Sequence, residues 1–161
     1  MAERENIFVR SASAVRDEAD GLQQLLGLEP IPNTEGALPD QYGLRGPATA
    51  VAGTVGYLVQ PNGHVDPDAE PEDAQAFDSY PVEIDIWLGT RGPEQAAEAR
   101  LVFDRLVAAR PDVPMLLCHD LDLLVAAYRP GQGVHDFPEG TTVDTPDADE
   151  WRPWVAVDQE A

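Results

Sequence analysis

The residues best equipped for chemistry are His119, Asp120 and Asp122, in the string His119-Asp120-Leu121-Asp122. An imidazole and carboxylates can hold a divalent ion and activate water, and Glu83 or Asp85 from a neighbouring strand would complete the set. The activity this serves is metal-dependent hydrolysis. The same string also reads as a tight polar turn, shaped by Asp120 and Asp122 through side-chain bonds to the backbone. His-Asp-x-Asp strings arise by chance in an Asp-rich chain, so the turn is the reading adopted. His64 and His135 fall in expected loops with no ligand spacing around them.

Cys118 closes the apolar run Met115-Leu116-Leu117-Cys118 and reads as a small buried hydrophobe. A nucleophilic thiolate needs a basic neighbourhood, and in a strand His119 points to the opposite face. A single cysteine leaves no intrachain disulfide. Asp66 and Asp68 alternate as in a calcium loop, but Asn62-Gly63 and the surrounding prolines break the EF-hand register. The chain has no phosphate loop, dinucleotide fingerprint or nucleophile elbow. It has no lysine, which excludes Schiff-base chemistry. The chain is therefore read as non-enzymatic, with no cofactor and no bound metal.

The elements that must position these residues are organised around Val82-Glu83-Ile84-Asp85-Ile86-Trp87-Leu88. Val82, Ile84, Ile86 and Leu88 alternate with Glu83, Asp85 and Trp87, the pattern of a strand with one buried and one wet face. On the wet face Trp87 stands beside two carboxylates; this reads either as an ordinary solvated sheet face with Trp87 half covered by a neighbouring strand or the C-terminal tail, or as a contact surface for a cationic partner. Residues 6–10 read as a first strand. A helix over 14–26 follows, with Ser11 and Ser13 as N-cap candidates, an apolar stripe of Val15, Ala19, Leu22, Leu25 and Leu26, and Gly27 as its stop. Strands are expected near 41–45 and over 48–60, where Gly56 marks a bulge or close packing. Pro93 opens a second helix over 93–109, with Ala96, Ala99, Val102, Phe103, Leu106 and Val107 as its apolar face. Residues 113–118 and 123–128 read as two further strands.

The expected fold is α+β: a mainly antiparallel sheet of five or six strands with two helices packed on one face. Residues 1–129 form the domain. Residues 130–161 form an acidic Pro/Gly-rich segment whose Trp151 and Trp154 are costly to leave in water, so its end is expected to dock on the domain, near Trp87.

Composition narrows the partner. The net charge is −20, from 10 basic and 30 acidic residues, and every basic residue is arginine. That opposes binding to nucleic acid and to anionic membranes, and favours steering toward a basic protein. Neither Lys nor Arg occurs over residues 46–90. Within that span, 61–79 reads as a long exposed loop carrying Asp66, Asp68, Glu70, Glu72, Asp73 and Asp78. The charged start of the chain, without an apolar run behind it, predicts no secretory signal and a cytoplasmic location.

The layout resembles the small acidic immunity proteins of bacterial polymorphic-toxin systems, of the actinobacterial type. The likeness lies in the short first strand, the helix ending Leu25-Leu26-Gly27-Leu28, the strand over 80–88, the helix over 93–109, and Pro114-Met115-Leu116-Leu117-Cys118-His119-Asp120-Leu121-Asp122. The resemblance implies a non-enzymatic inhibitor that binds a toxin, often a nuclease with a basic face. The surface expected to do so comprises Asp66, Asp68, Glu70, Glu72, Asp73, Asp78, Glu83, Asp85 and Trp87. The alternatives are the hydrolase above and an accessory or scaffold subunit that uses its tryptophan-bearing tail to dock.

Overall fold

The computed structural model describes residues 4–32, 40–65, 68, 70–88 and 92–155. Residues 33–39, which read from the sequence as a loop, and Asp66 lie outside them. The strands are β1 (Glu5–Val9), β2 (Glu29–Pro30), β3 (Tyr42–Pro47), β4 (Thr54–Pro61), β5 (Val82–Leu88), β6 (Met115–His119), β7 (Leu123–Arg129) and β8 (Gly133–Asp136). They form one eight-stranded sheet in the order β2-β3-β4-β5-β1-β6-β7-β8, and every pairing is antiparallel. The helices are α1 (Val15–Leu26), α2 (Gly92–Ala109) and the single turn α3 (Ala148–Trp151).

The α+β class and the antiparallel sheet are as expected; the count of five or six strands and two helices is not. The additional strands are the sheet edges β2 and β8, of two and four residues. Segments this short, rich in Pro and Gly, carry no legible alternation. β8 also extends the sheet past residue 129.

α1 and α2 cover one face. Ile7 and Val9 of β1, Val82, Ile84 and Ile86 of β5, and Met115 and Leu117 of β6 pack there against Leu22, Val102, Phe103 and Leu106. Ala96, expected on the apolar side of α2, is exposed. α1 begins at Ala14 with no side-chain cap, since Ser11 Oγ accepts the Ser13 N–H instead. It ends as read: Gly27 adopts φ 66°, which glycine reaches without strain. The helices are tied together by Arg110 at the end of α2, whose guanidinium forks onto buried Glu18 of α1. Glu98 of α2 accepts the N–H groups of Thr49 and Ala50 at 2.8 and 2.7 Å, so 48–53 is the β3–β4 turn rather than strand.

The opposite face is half covered. Phe8, Leu116, Cys118, Leu124 and Ala127 are buried there beneath Ala76, Phe77 and Tyr80 from one segment and Phe137, Val143, Ala148, Trp151 and Val155 from another. The expected exposed loop 61–79 is thus partly core. Residues 137–155 pack over β1, β6 and β7, away from Trp87. A bulge lets β7 serve both faces: Leu117 pairs with Ala126 and Cys118 with Leu124, so Val125 is the additional residue. Among the described residues no helix is long and apolar enough to cross a membrane.

Candidate functional site

The register lays out the second face row by row. Gln60, Glu83, Phe8 and Leu116 form one cross-strand row, and Leu58, Asp85, Asn6 and Cys118 the next. The first row is polar on β4 and β5 and apolar on β1 and β6; in the second, Asp85 and Asn6 lie between Leu58 and Cys118. Between them the rows hold a carboxyl pair, Glu83 and Asp85, which the alternation reading places on a wet face. They are 1% and 9% exposed. The covering segments bury this part of the sheet, a long-range effect the strand's own pattern cannot register.

Burial obliges every polar atom here to find a partner, and Asn6 serves both carboxyls at once. Asn6, 2% exposed, directs Nδ2 at Asp85 Oδ1 (2.8 Å) and Glu83 Oε2 (3.3 Å). Its Oδ1 accepts the Leu121 N–H at 3.0 Å. Gln60 Nε2 donates to Glu83 Oε1 at 3.2 Å, and His64 Nε2 lies 3.0 Å from the same oxygen. Arg4 Nη1 lies 3.5 Å from Asp85 Oδ2. Burial above all, then a hydrogen bond to Asp85 and the Asp85 charge, push the Glu83 carboxyl up to about 9. The environment thus favours the protonated form of Glu83, which avoids a second like charge in a buried place.

Trp87 is half-buried, with the Arg4 guanidinium 4.8 Å from its ring centroid. The indole lies on the backbone of Gly56, where a Cβ would come within 2.2 Å of the ring. The close packing anticipated at Gly56 is this contact.

The hydrolase constellation does not assemble. His119 projects to the helix-covered face, where Nδ1 lies 2.9 Å from Glu5 Oε1, and Gln95 of α2 holds the other Glu5 oxygen at 3.1 Å. Glu83 and Asp85 point through the opposite face. Asp120 and Asp122 are exposed on the β6–β7 turn, closed by Asp122 N–H to His119 O at 3.1 Å, with Asp120 and Leu121 at φ 53° and 60°. Among the described residues no group of three or more His, Cys, Asp or Glu is arranged to hold a metal ion. Cys118 is fully buried on the second face, and burial pushes its thiol up.

The fold does bring together two acidic segments far apart in sequence. Ala76 N–H donates to Val143 O at 2.9 Å, Thr145 Oγ1 to Glu72 O at 2.7 Å, and Gln75 Nε2 to Asp144 Oδ1 at 3.0 Å. Asp68, Glu70, Glu72 and Asp73 are exposed on one segment, and Asp144, Asp149 and Glu150 on the other. Asp147 sits between them, its carboxyl held below the usual range by the Thr142 N–H and hydroxyl. Asp78 does not join this ridge as a free carboxylate: it accepts the Gln75 N–H at 2.9 Å, and burial raises it.

Sequence reasoning missed Asn6, Gln60 and His64 around the pair, and left the 144–150 carboxylates out of the partner surface. The one local signal was Asn6, a polar residue leading the apolar run Ile7-Phe8-Val9. No protein-family model, curated protein or solved structure matches the chain.

Proposed function

We propose that the chain is a non-enzymatic, protein-binding inhibitor: an immunity protein whose acidic surface neutralises a basic toxin, nucleases being among the toxins such a surface suits. The observation that supports it is the union of the 68–73 and 144–150 carboxylates into one exposed ridge on a protein of net charge −20. A ridge of carboxylates can stand where phosphates would sit on a nuclease. Its field raises the rate of encounter, and apolar contacts around it then hold the complex. Glu83 and Asp85 serve this reading from beneath, as the joint that holds the covering segment, rather than as contact residues.

The test is affinity capture from the native lysate at low and high salt. The baits are the wild-type chain and a variant carrying Glu70→Gln, Glu72→Gln, Asp73→Asn, Asp149→Asn and Glu150→Gln. Wild type should recover a basic protein that salt releases, that is toxic when expressed alone, and whose toxicity this chain relieves. The variant should recover at least about tenfold less, because the charge term is gone. Equal recovery by both baits at both salt levels sinks the reading, and so does a partner that is not basic.

A further inference from the structure

Trp87 lies flat because of the residue opposite it. Gly56 is the β4 residue paired with Trp87, and its missing Cβ leaves the space that the indole fills. One face of the ring is thereby laid on backbone, and the ring is left to be met from its other side. A guanidinium already meets it there: the Arg4 Cζ stands 4.8 Å from the ring centroid. Beneath the edge of this stack lies the Asp85 carboxylate, whose Oδ2 is 3.5 Å from Arg4 Nη1. A flat aromatic face beside a carboxylate is the setting that suits a guanidinium, which is planar, weakly hydrated and stacks on rings.

Arg4 fills this place loosely. Its side chain is 43% exposed, and among the described residues it makes one polar contact, at the long limit of a hydrogen bond. A well-matched guanidinium and carboxylate meet through two bonds of about 2.7–2.9 Å, and Arg110 forks onto Glu18 with both terminal nitrogens. Asp85 already spends Oδ1 on Asn6 at 2.8 Å. The backbone of Arg4 is anchored instead, its carbonyl accepting the Asp120 N–H at 2.7 Å. The side chain can therefore swing off the ring through its own rotamers while β1 and the sheet stay paired.

We propose that the outer face of Trp87, with the Asp85 charge beneath its edge, is a receptor for an arginine side chain of a basic protein, and that Arg4 fills it in the free chain and yields it on binding. The exchange replaces one guanidinium by another, so the chemistry of the site is already displayed by its own occupant. A lysine ammonium fits less well, because it is strongly hydrated and presents no plane to the indole. The net charge of −20 draws a basic partner to the surface. Trp87 shares a face of the sheet with Glu83 and Asp85, and Glu83 pairs with Phe8, which lies under the covering segments. Those segments do not bury Trp87. On the partner-binding reading, on which this inference rests, a protein seated on the acidic ridge meets Trp87 from the same side of the sheet, and Trp87 is its aromatic anchor.

The test is NMR of the Trp87 indole N–H in the full chain, titrated at constant ionic strength with two capped tripeptides that carry arginine or lysine between glycines. In wild type the arginine peptide should move the indole signal more than the lysine peptide does. Arg4→Ala empties the site, so the arginine peptide should then act at concentrations about two- to fivefold lower, a gain the lysine peptide should not share. Trp87→Leu should abolish the preference for arginine, read at the side-chain amide of Asn6, which bonds Asp85. Equal action of the two peptides overturns the proposal, since that is general attraction to an acidic surface. No gain from Arg4→Ala also overturns it, because Arg4 then does not fill the site. If Arg4→Ala does not fold, wild type decides: a shift for arginine beyond that for lysine supports the proposal, and equal shifts or none overturn it. The probes are peptides, so failure here is read apart from failure of the ridge in the lysate capture.

Discussion

Asn6 joins three parts of the molecule through one amide. Its NH2 group serves two carboxyls of β5, and its oxygen holds the Leu121 N–H. Leu121 is a bulky residue at φ 60°, a conformation that costs an L-residue roughly 1–2 kcal/mol, and the bond from Asn6 helps to hold it there. Removal of the amide leaves buried carboxyl oxygens and a backbone donor without this partner. Asn6→Ala should therefore lower stability by about 3 kcal/mol, read from urea unfolding. A loss below about 1 kcal/mol would mean that water replaces the amide and that Asn6 is not the bridge. The residue was visible in the sequence as a polar position at the head of an apolar strand. Its partners were not, because they lie 77, 79 and 115 positions away.

At the scale of elements, the deciding event is the return of the chain after β8. Trp151 is 4% exposed and packs with Phe137, Val143 and Val155 over Phe8 and Leu116. Its indole N–H donates to Asp144 O at 3.2 Å. The tail is anchored again where Arg129 donates to Pro153 O at 3.0 Å and where Trp154 stacks flat on His135, centroids 4.2 Å apart. Trp151→Ala should cost about 3–5 kcal/mol in thermal or urea unfolding, the range for a large aromatic lost from a core. A cost under about 1 kcal/mol would show that the tail only rests on the sheet. Docking was legible because two tryptophans in an acidic tail demand cover. Which strands they cover was not, since the alternation of β6 and β7 is interrupted by the Val125 bulge, and the apolar second face of β1 and β6 reads locally as continuous apolar sequence.

For the molecule as a whole, charge sets the behaviour. Thirty acidic residues oppose ten arginines, and several of those arginines are spent on internal ties: Arg110 to Glu18, Arg100 to Asp104 and Asp136, Arg4 to Asp85. The outer surface keeps most of the excess, and self-repulsion opposes the compact state. Salt shortens the range of that repulsion from about 30 Å at 0.01 M to about 3 Å at 1 M. The melting temperature should rise by several degrees from about 0.01 M to about 0.5 M NaCl, because exposed repulsion is screened more than the partly buried ion pairs. A melting temperature that falls with salt would show that attractive pairs outweigh the net charge.

By itself, the sequence determined the quantities that are sums or short periods. These are the net charge, the alternation of β5, the apolar stripe of α1 and its glycine stop, and the β6–β7 turn. Each depends on composition or on neighbours within a few residues, where side-chain periodicity and local propensity act. Only the tertiary structure decided what depends on two distant stretches meeting. It buried Glu83 and Asp85, parted them from His119 across the thickness of the sheet, and merged the 68–73 and 144–150 carboxylates into one ridge. Burial is a property of what lies on top. A strand's pattern says which residues share a face, and the covering segments, arriving from elsewhere in the chain, decide whether that face meets water.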